Sequence, residues 1–284
     1  MKTILCATDF SANSLNAVKY GVTLAKKLNA GIILAHIFED SVVYTEPLIA
    51  PVQPDDEELK SIAEKQLNEL KSKLQKDHFI PEIKTIIKEG IAFEQLTAIA
   101  DEEDSELIVL GATGANRLER LLLGSTSSQV ISKAHCPVLC VPGNAKFDGI
   151  KKIVFSTDLM EDNIRSATSL TTFAKKFDAE IVFLYVDGQH LVHSDDEVVR
   201  VTSKIRNRIK YPKISGYISN DNHVTKGIAH FLKKNPADLL VMFTHERHFP
   251  ESLFHPSVTK MMSHQSEIPL LSTKFSDAKV LRKF

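Results

Sequence analysis

Short apolar runs alternate with longer stretches of helical periodicity along the chain. Thr3–Ala7 is brief and apolar, the pattern of a strand buried on both faces. Ser11–Leu28 carries Leu15, Val18, Val22 and Ala25 at helical spacing, and Ser11 suits an N-cap. Ile32–Phe38 reads as a second strand, and Pro47–Pro54, with three prolines, as a loop. Asp56–Gln75 holds Leu59, Ile62, Ala63, Leu67, Leu70 and Leu74 as an amphipathic stripe, behind the acidic first turn Asp55–Glu58. Glu82–Ile87 alternates as a strand, Ala92–Glu102 reads as a helix and Leu107–Leu110 as a strand. Ser125–Lys133 reads as a helix and Val138–Val141 as the last strand of this set. Five strands alternating with four helices predict an α/β fold with a parallel, doubly wound sheet, because parallel strands need crossovers and these prefer one hand.

The same order then recurs. Lys152–Ser156, Ile181–Val186, Ile214–Ser219, Leu239–Phe243 and Leu270–Thr273 read as five further strands. Thr8-Asp9 aligns with Thr157-Asp158, and Lys26–Ala30 with Lys175–Ala179, both at an offset of 149. Further on, Leu110 aligns with Met242 and Cys136-Pro137 with Ile268-Pro269, at an offset of 132, so the second copy is the shorter one. A period near 150 is too long for a solenoid. It predicts two tandem domains, residues 1–145 and 149–284, joined near Pro142–Gly149.

The segment from Gly111 to Ser125 is the main candidate for chemistry. It runs Gly-Ala-Thr-Gly, nine further residues, then Gly-Ser, between the fourth strand and a helix start. Such a loop can lay backbone N–H groups on an anion, and the helix N-terminus adds unpaired donors and partial positive charge. In an open doubly wound sheet, ligands sit at the carboxyl ends of strands where the order switches. With the order 3-2-1-4-5, Asp9 after strand 1 and the glycine loop after strand 4 face one pocket. A carboxylate there can accept hydrogen bonds from ribose hydroxyls while the loop holds phosphates. Plainer readings stand beside these: Asp9 as a turn or capping residue, the glycines as turn punctuation, and Arg117 and Arg120 as solvated loop residues rather than phosphate partners.

Composition narrows the field. Lys plus Arg is 35 and Asp plus Glu 36, so no basic excess supports general nucleic-acid or membrane-surface binding. The N-terminal sequence predicts neither a signal peptide nor a transmembrane span. Three cysteines, Cys6, Cys136 and Cys140, make no disulfide framework and predict a reduced, cytoplasmic setting. Cys6 reads as mid-strand core; Cys136 and Cys140 read as the two ends of one strand, on one face. His245, His248 and His255 match no strong metal motif and read as surface residues. No Walker lysine motif, nucleophile elbow or metalloprotease helix is present, and no residue of the first-half loop is evidently placed to activate water, so no catalytic residue is assigned.

Gly111, Gly114, Gly124 and Ser125 match, without gaps, the Gly-x2-Gly-x9-Gly-Ser/Thr loop of the nucleotide-binding branch of the universal stress protein family, which the first half resembles. Thr8-Asp9-Phe10, Leu34-Ala35-His36-Ile37 and Cys136–Leu139 resemble the ends of that family's first and second strands and its last strand. The resemblance covers nearly all of residues 1–143. It implies a five-stranded sheet in the order 3-2-1-4-5, ATP or a related adenine nucleotide as ligand, and a stress-linked regulatory role. Asp9, with Thr8 beside it, would contact the adenosine moiety and the backbone of Ile37 the adenine. Gly111, Gly114, Gly124, Ser125, Thr126 and Ser127 would surround ribose and phosphates. Mg2+ would accompany the triphosphate, although the sequence shows no dedicated carboxylate cage. The final strands Val138–Val141 and Leu270–Thr273 would pair within the chain, covering two apolar edges, and a further homodimer is compatible with the family.

The second half keeps Asp158 but fills the three glycine positions with Phe243, Glu246 and Pro256. These side chains crowd a loop that must approach phosphate, and Pro256 lacks an N–H. The expectation is ATP in the first half only, in a regulator with little or no hydrolysis and an unidentified protein partner. The alternatives are a slow ATPase or phosphoryl- or adenylyl-transfer enzyme, and an interaction module whose loop stays empty.

Overall fold

The computed structural model describes residues 2–38, 56–78, 82–112, 124–157, 161–187, 200, 202–203, 206–207, 210–244, 268–274 and 276–284. Strand β1 (Thr3–Ala7) is apolar throughout its centre, with Ile4, Leu5 and Cys6 fully buried, as a central strand covered on both faces must be. Helix α1 (Ala12–Leu28) starts where Ser11 accepts a hydrogen bond from Ser14 N–H, and stops where Asn29 enters the left-handed region at φ 53°. Next come β2 (Gly31–Phe38), α2 (Asp56–His78), β3 (Ile83–Glu89), α3 (Ala92–Glu102), β4 (Leu107–Gly111), α4 (Ser125–Lys133) and β5 (Val138–Val141). The second half supplies β6 (Lys152–Ser156), α5 (Glu161–Lys175), β7 (Glu180–Asp187), β8 (Ile214–Asn220), α6 (Val224–Lys234), β9 (Leu239–Thr244) and β10 (Leu270–Lys274). A short 3-10 helix, Ala278–Lys283, closes the chain.

The strand order is β3-β2-β1-β4-β5-β10-β9-β6-β7-β8. Each half therefore has the expected order 3-2-1-4-5, parallel within itself. The two meet through an antiparallel pair, Leu270 opposite Cys140, Leu271 opposite Leu139 and Ser272 opposite Val138. The predicted pairing of the two final strands is thus present, and among the described residues ten strands form one sheet.

Helices cover both faces. One core packs α1, α2, α5 and the 3-10 helix on the sheet; the other packs α3, α4 and α6. The three cysteines are buried and unpaired. Cys136 and Cys140 share the second core, as predicted, but Cys136 lies before β5 rather than on it. Pro137 separates Cys136 from the strand and delays its start. Among the described residues no helix is long and apolar enough to cross a membrane.

Candidate functional site

β1 and β4 are adjacent, and β2 continues past the end of β1, so the carboxyl ends of these strands border a crevice. Thr8 and Asp9 leave β1 at its rim. Thr8 is buried, and its Oγ1 lies 3.1 Å from Ser14 Oγ. Asp9 is exposed; its N–H donates to Ser14 Oγ at 3.3 Å, and its Oδ1 accepts from Ser11 N–H at 3.0 Å. The turn-forming role expected as the plainer reading of Asp9 is therefore present, and it fixes where the carboxylate stands. Phe10 takes φ 61°, an uncommon value for a side chain of its size, with its N–H donating to Thr8 Oγ1 at 3.0 Å.

Gly111 is the last residue of β4, one position further along the strand than the apolar run suggests. A Cβ at this position would lie 3.3 Å from Asn13 C and Ser14 N. The missing side chain thus lets the first turn of α1 pack against the end of β4. Ser127 is buried, and its Oγ donates to Gly111 O at 2.9 Å, tying the start of α4 to the same strand end. Gly124 is the N-cap of α4, without a side-chain cap, and its N–H donates to Ala112 O at 2.7 Å. The chain leaves the sheet at Ala112 and returns beside it. Ser128 N–H takes the first helical bond, to Gly124 O at 3.0 Å. The N–H groups of Ser125, Thr126 and Ser127 precede it in the first turn, where no intrahelical acceptor exists. Ser125 is exposed and Thr126 half-buried at this end. That end carries partial positive charge and suits an anion.

Ile37 is half-buried near the end of β2 and packs toward the α3–α4 face. Its backbone faces the crevice. Ala35 O, two residues earlier, accepts from Thr8 N–H at 2.9 Å, whereas Phe38 O points the other way and accepts from Gly90 N–H at 3.0 Å. Strand alternation puts the Ile37 N–H and C=O on the β1 side, one step beyond the last β1 pair, Ala7 with Ala35.

The structure therefore brings Thr8, Asp9, Ile37, Gly111, Gly124, Ser125, Thr126 and Ser127 to neighbouring strand ends. Gly114, Arg117, Arg120, Asp158, His245, Glu246, His248, His255 and Pro256 lie outside the described residues. Ser14, Asn13 and His36 help build the rim and carry no role in the sequence reading. The Ser11-x-x-Ser14 spacing could have flagged Ser14, and the placement of His36 just before Ile37 could have flagged it.

At the position of Gly111 the second half has Phe243, half-buried, its ring 4.8 Å from that of Phe155. Phe155 in turn meets Phe183 edge to face at 5.3 Å. Apolar packing fills the place where the first half admits the start of α1.

The model of the universal stress protein family matches residues 1–142. The universal stress protein MJ0531 of Methanocaldococcus jannaschii is 34% identical over 140 residues, covering 49% of this chain and 81% of its own. The universal stress protein Mb2028c of Mycobacterium bovis is 23% identical over 295 residues, covering 96% of this chain and 97% of its own. A crystal structure of a universal stress protein from Archaeoglobus fulgidus superposes with a TM-score of 0.74 at 17% identity, covering 96% of this chain and 98% of that one, a likeness of fold. With its first half matched by the family model and its architecture shared along nearly its whole length, the chain belongs to the universal stress protein family.

Proposed function

We propose that the first half holds an adenine nucleotide, ATP, in the crevice between β1 and β4, and that the protein acts in stress response as a nucleotide-responsive regulator with little or no hydrolysis. The observation that carries this reading is the junction of β4 and α4. Gly111, the Ser127–Gly111 bond and the glycine cap of α4 set three first-turn N–H groups beside the strand ends. Asp9 stands across from them as an acceptor for ribose hydroxyls. The Ile37 N–H and C=O offer a donor and an acceptor side by side, the complement of an adenine edge. Gly114 would line the phosphate side of this pocket, and Mg2+ would arrive with the triphosphate. Asp9 Oδ1 is engaged by Ser11 N–H, which suits a positioning carboxylate better than a base for water attack.

Phe243 supports restriction to the first half: its ring belongs to the aromatic cluster with Phe155, at the end of β9 where the first half has Gly111. Titration calorimetry with ATP should give one site per chain. Asp9→Ala should weaken binding about tenfold, the loss of roughly one charge-assisted hydrogen bond, and Gly114→Val should abolish it. Two nucleotides per chain would overturn the restriction. No binding at millimolar ATP would overturn the reading as a whole.

A further inference from the structure

The parallel ladder between β1 and β2 stops at Ala7–Ala35, although Thr8 N–H still donates to Ala35 O. A continuing ladder would next join Ile37 N–H to the Thr8 carbonyl and add a Thr8–His36 pair. That pair is absent from the register, and the Thr8 carbonyl instead lies 2.8 Å from His36 Nδ1. A carbonyl only accepts, so the contact assigns the proton to Nδ1. The imidazole is held from its other side by Phe10, ring centroids 4.6 Å apart at 40°. His36 thus takes up the acceptor that would otherwise compete for the Ile37 amide.

The second half provides an internal comparison. There too the ladder stops one residue short, at Ser156–Leu184, with Thr157 N–H donating to Leu184 O. Splayed strand ends are therefore a property of the fold. At the place of His36, however, stands Tyr185, whose ring has no nitrogen next to Cγ. The sequence position that supplies the imidazole donor in the first half therefore carries a phenol in the second.

We propose that His36 is a positioning residue for nucleotide recognition: by donating to the Thr8 carbonyl it fixes the Asp9 turn and keeps the Ile37 N–H directed at the adenine edge. This role rests on the reading of the first half as an adenine-nucleotide site. Three measurements on the full chain test it. Nitrogen NMR of the ligand-free protein should find neutral His36 as the Nδ1–H tautomer; the Nε2–H tautomer would overturn the proposal, whatever the protein binds. His36→Phe keeps a ring against Phe10 but removes the donor, and ATP affinity should fall about tenfold, the order of one hydrogen bond lost with its acceptor stranded. His36→Asn, which places an amide N–H near the position of Nδ1, should restore affinity to within about threefold of wild type. Inosine triphosphate presents an acceptor where ATP presents the amino group, so the preference for ATP over it should narrow in His36→Phe and return in His36→Asn. A folded His36→Phe protein that binds ATP as wild type does would overturn the role of His36 and leave the nucleotide site standing. Wild-type protein that binds no ATP would remove the site itself and this role with it.

Discussion

At Gly111, helix packing demands the absence of a side chain. A Cβ there would press at 3.3 Å on the backbone of Asn13 and Ser14, so a side chain at this position has to push the start of α1 away from β4. The same turn holds Ser14 Oγ against Thr8 and Asp9. Gly111→Ala should therefore cost about 1–3 kcal/mol, as small overpacking changes in a tight site do, and should weaken ATP binding as well. Urea unfolding beside calorimetric titration would check both; unchanged stability would show that α1 gives way freely. The glycine spacing is legible in the sequence, and so is its suitability for an anion. Its packing reason is not, because the atoms that crowd Gly111 belong to Asn13 and Ser14, far away in the chain. His36 is half legible: its place just before Ile37 is a cue, but its donor role acquires meaning only once the Thr8 carbonyl is seen beside it.

At the scale of elements, period and length are enough to place most strands and helices. Runs such as Ile4–Cys6 and Val138–Val141 are short and apolar throughout, as buried strands are, and α1 announces itself by its stripe and its Ser11 cap. The 3-10 helix Ala278–Lys283 has no such signature, since it is too short to show a periodic face. The central strands also set a pH dependence. β1 and β5 bury Cys6 and Cys140 completely, Cys136 is nearly so, and burial pushes all three thiols from an ordinary 9.0 up to about 12. Above about pH 9 the unfolded chain releases these protons while the folded chain keeps them. Raised folded values mean stability that is complete below that pH and declines as pH climbs toward 12, by up to about 1.4 kcal/mol per thiol per pH unit. Urea midpoints compared at pH 8 and pH 10 should show the decline, and replacing all three cysteines with alanine should flatten it. An equal slope in that variant would assign the effect to other groups.

Across the whole molecule, one core runs from the first half into the second. Ile4, Leu24 and Val109 belong to the same buried cluster as Phe155, Leu170 and Leu271. The join has three parts. β5 and β10 pair as antiparallel strands, and Phe147 bridges Tyr20 at 5.0 Å and Phe177 at 6.4 Å. The 3-10 helix and the residue that caps it lay Leu281 and Phe284 into the seam, Phe284 edge to face with Phe173 at 6.2 Å and sharing a narrow apolar cavity with Tyr20, Leu24 and Leu139. Polar contacts at the same place, Arg282 Nε to Ser169 Oγ at 2.9 Å and Lys283 to Glu106 at 3.7 Å, orient this segment more than they stabilise it, because both basic side chains reach solvent. Burial of Phe284 is then the larger contribution, and Phe284→Ala should cost about 3–5 kcal/mol, as a fully buried phenylalanine does. Since the cavity it leaves is lined from both halves, the loss should not fall on the second half alone. Hydrogen exchange by mass spectrometry should show peptides of β1 and β4 losing protection at the same denaturant concentration as those of β6 and β9, in wild type and, shifted together, in the variant. Two separate transitions, with only β6 and β9 moved by the substitution, would mean that the halves fold as independent units and that the shared core does not couple them.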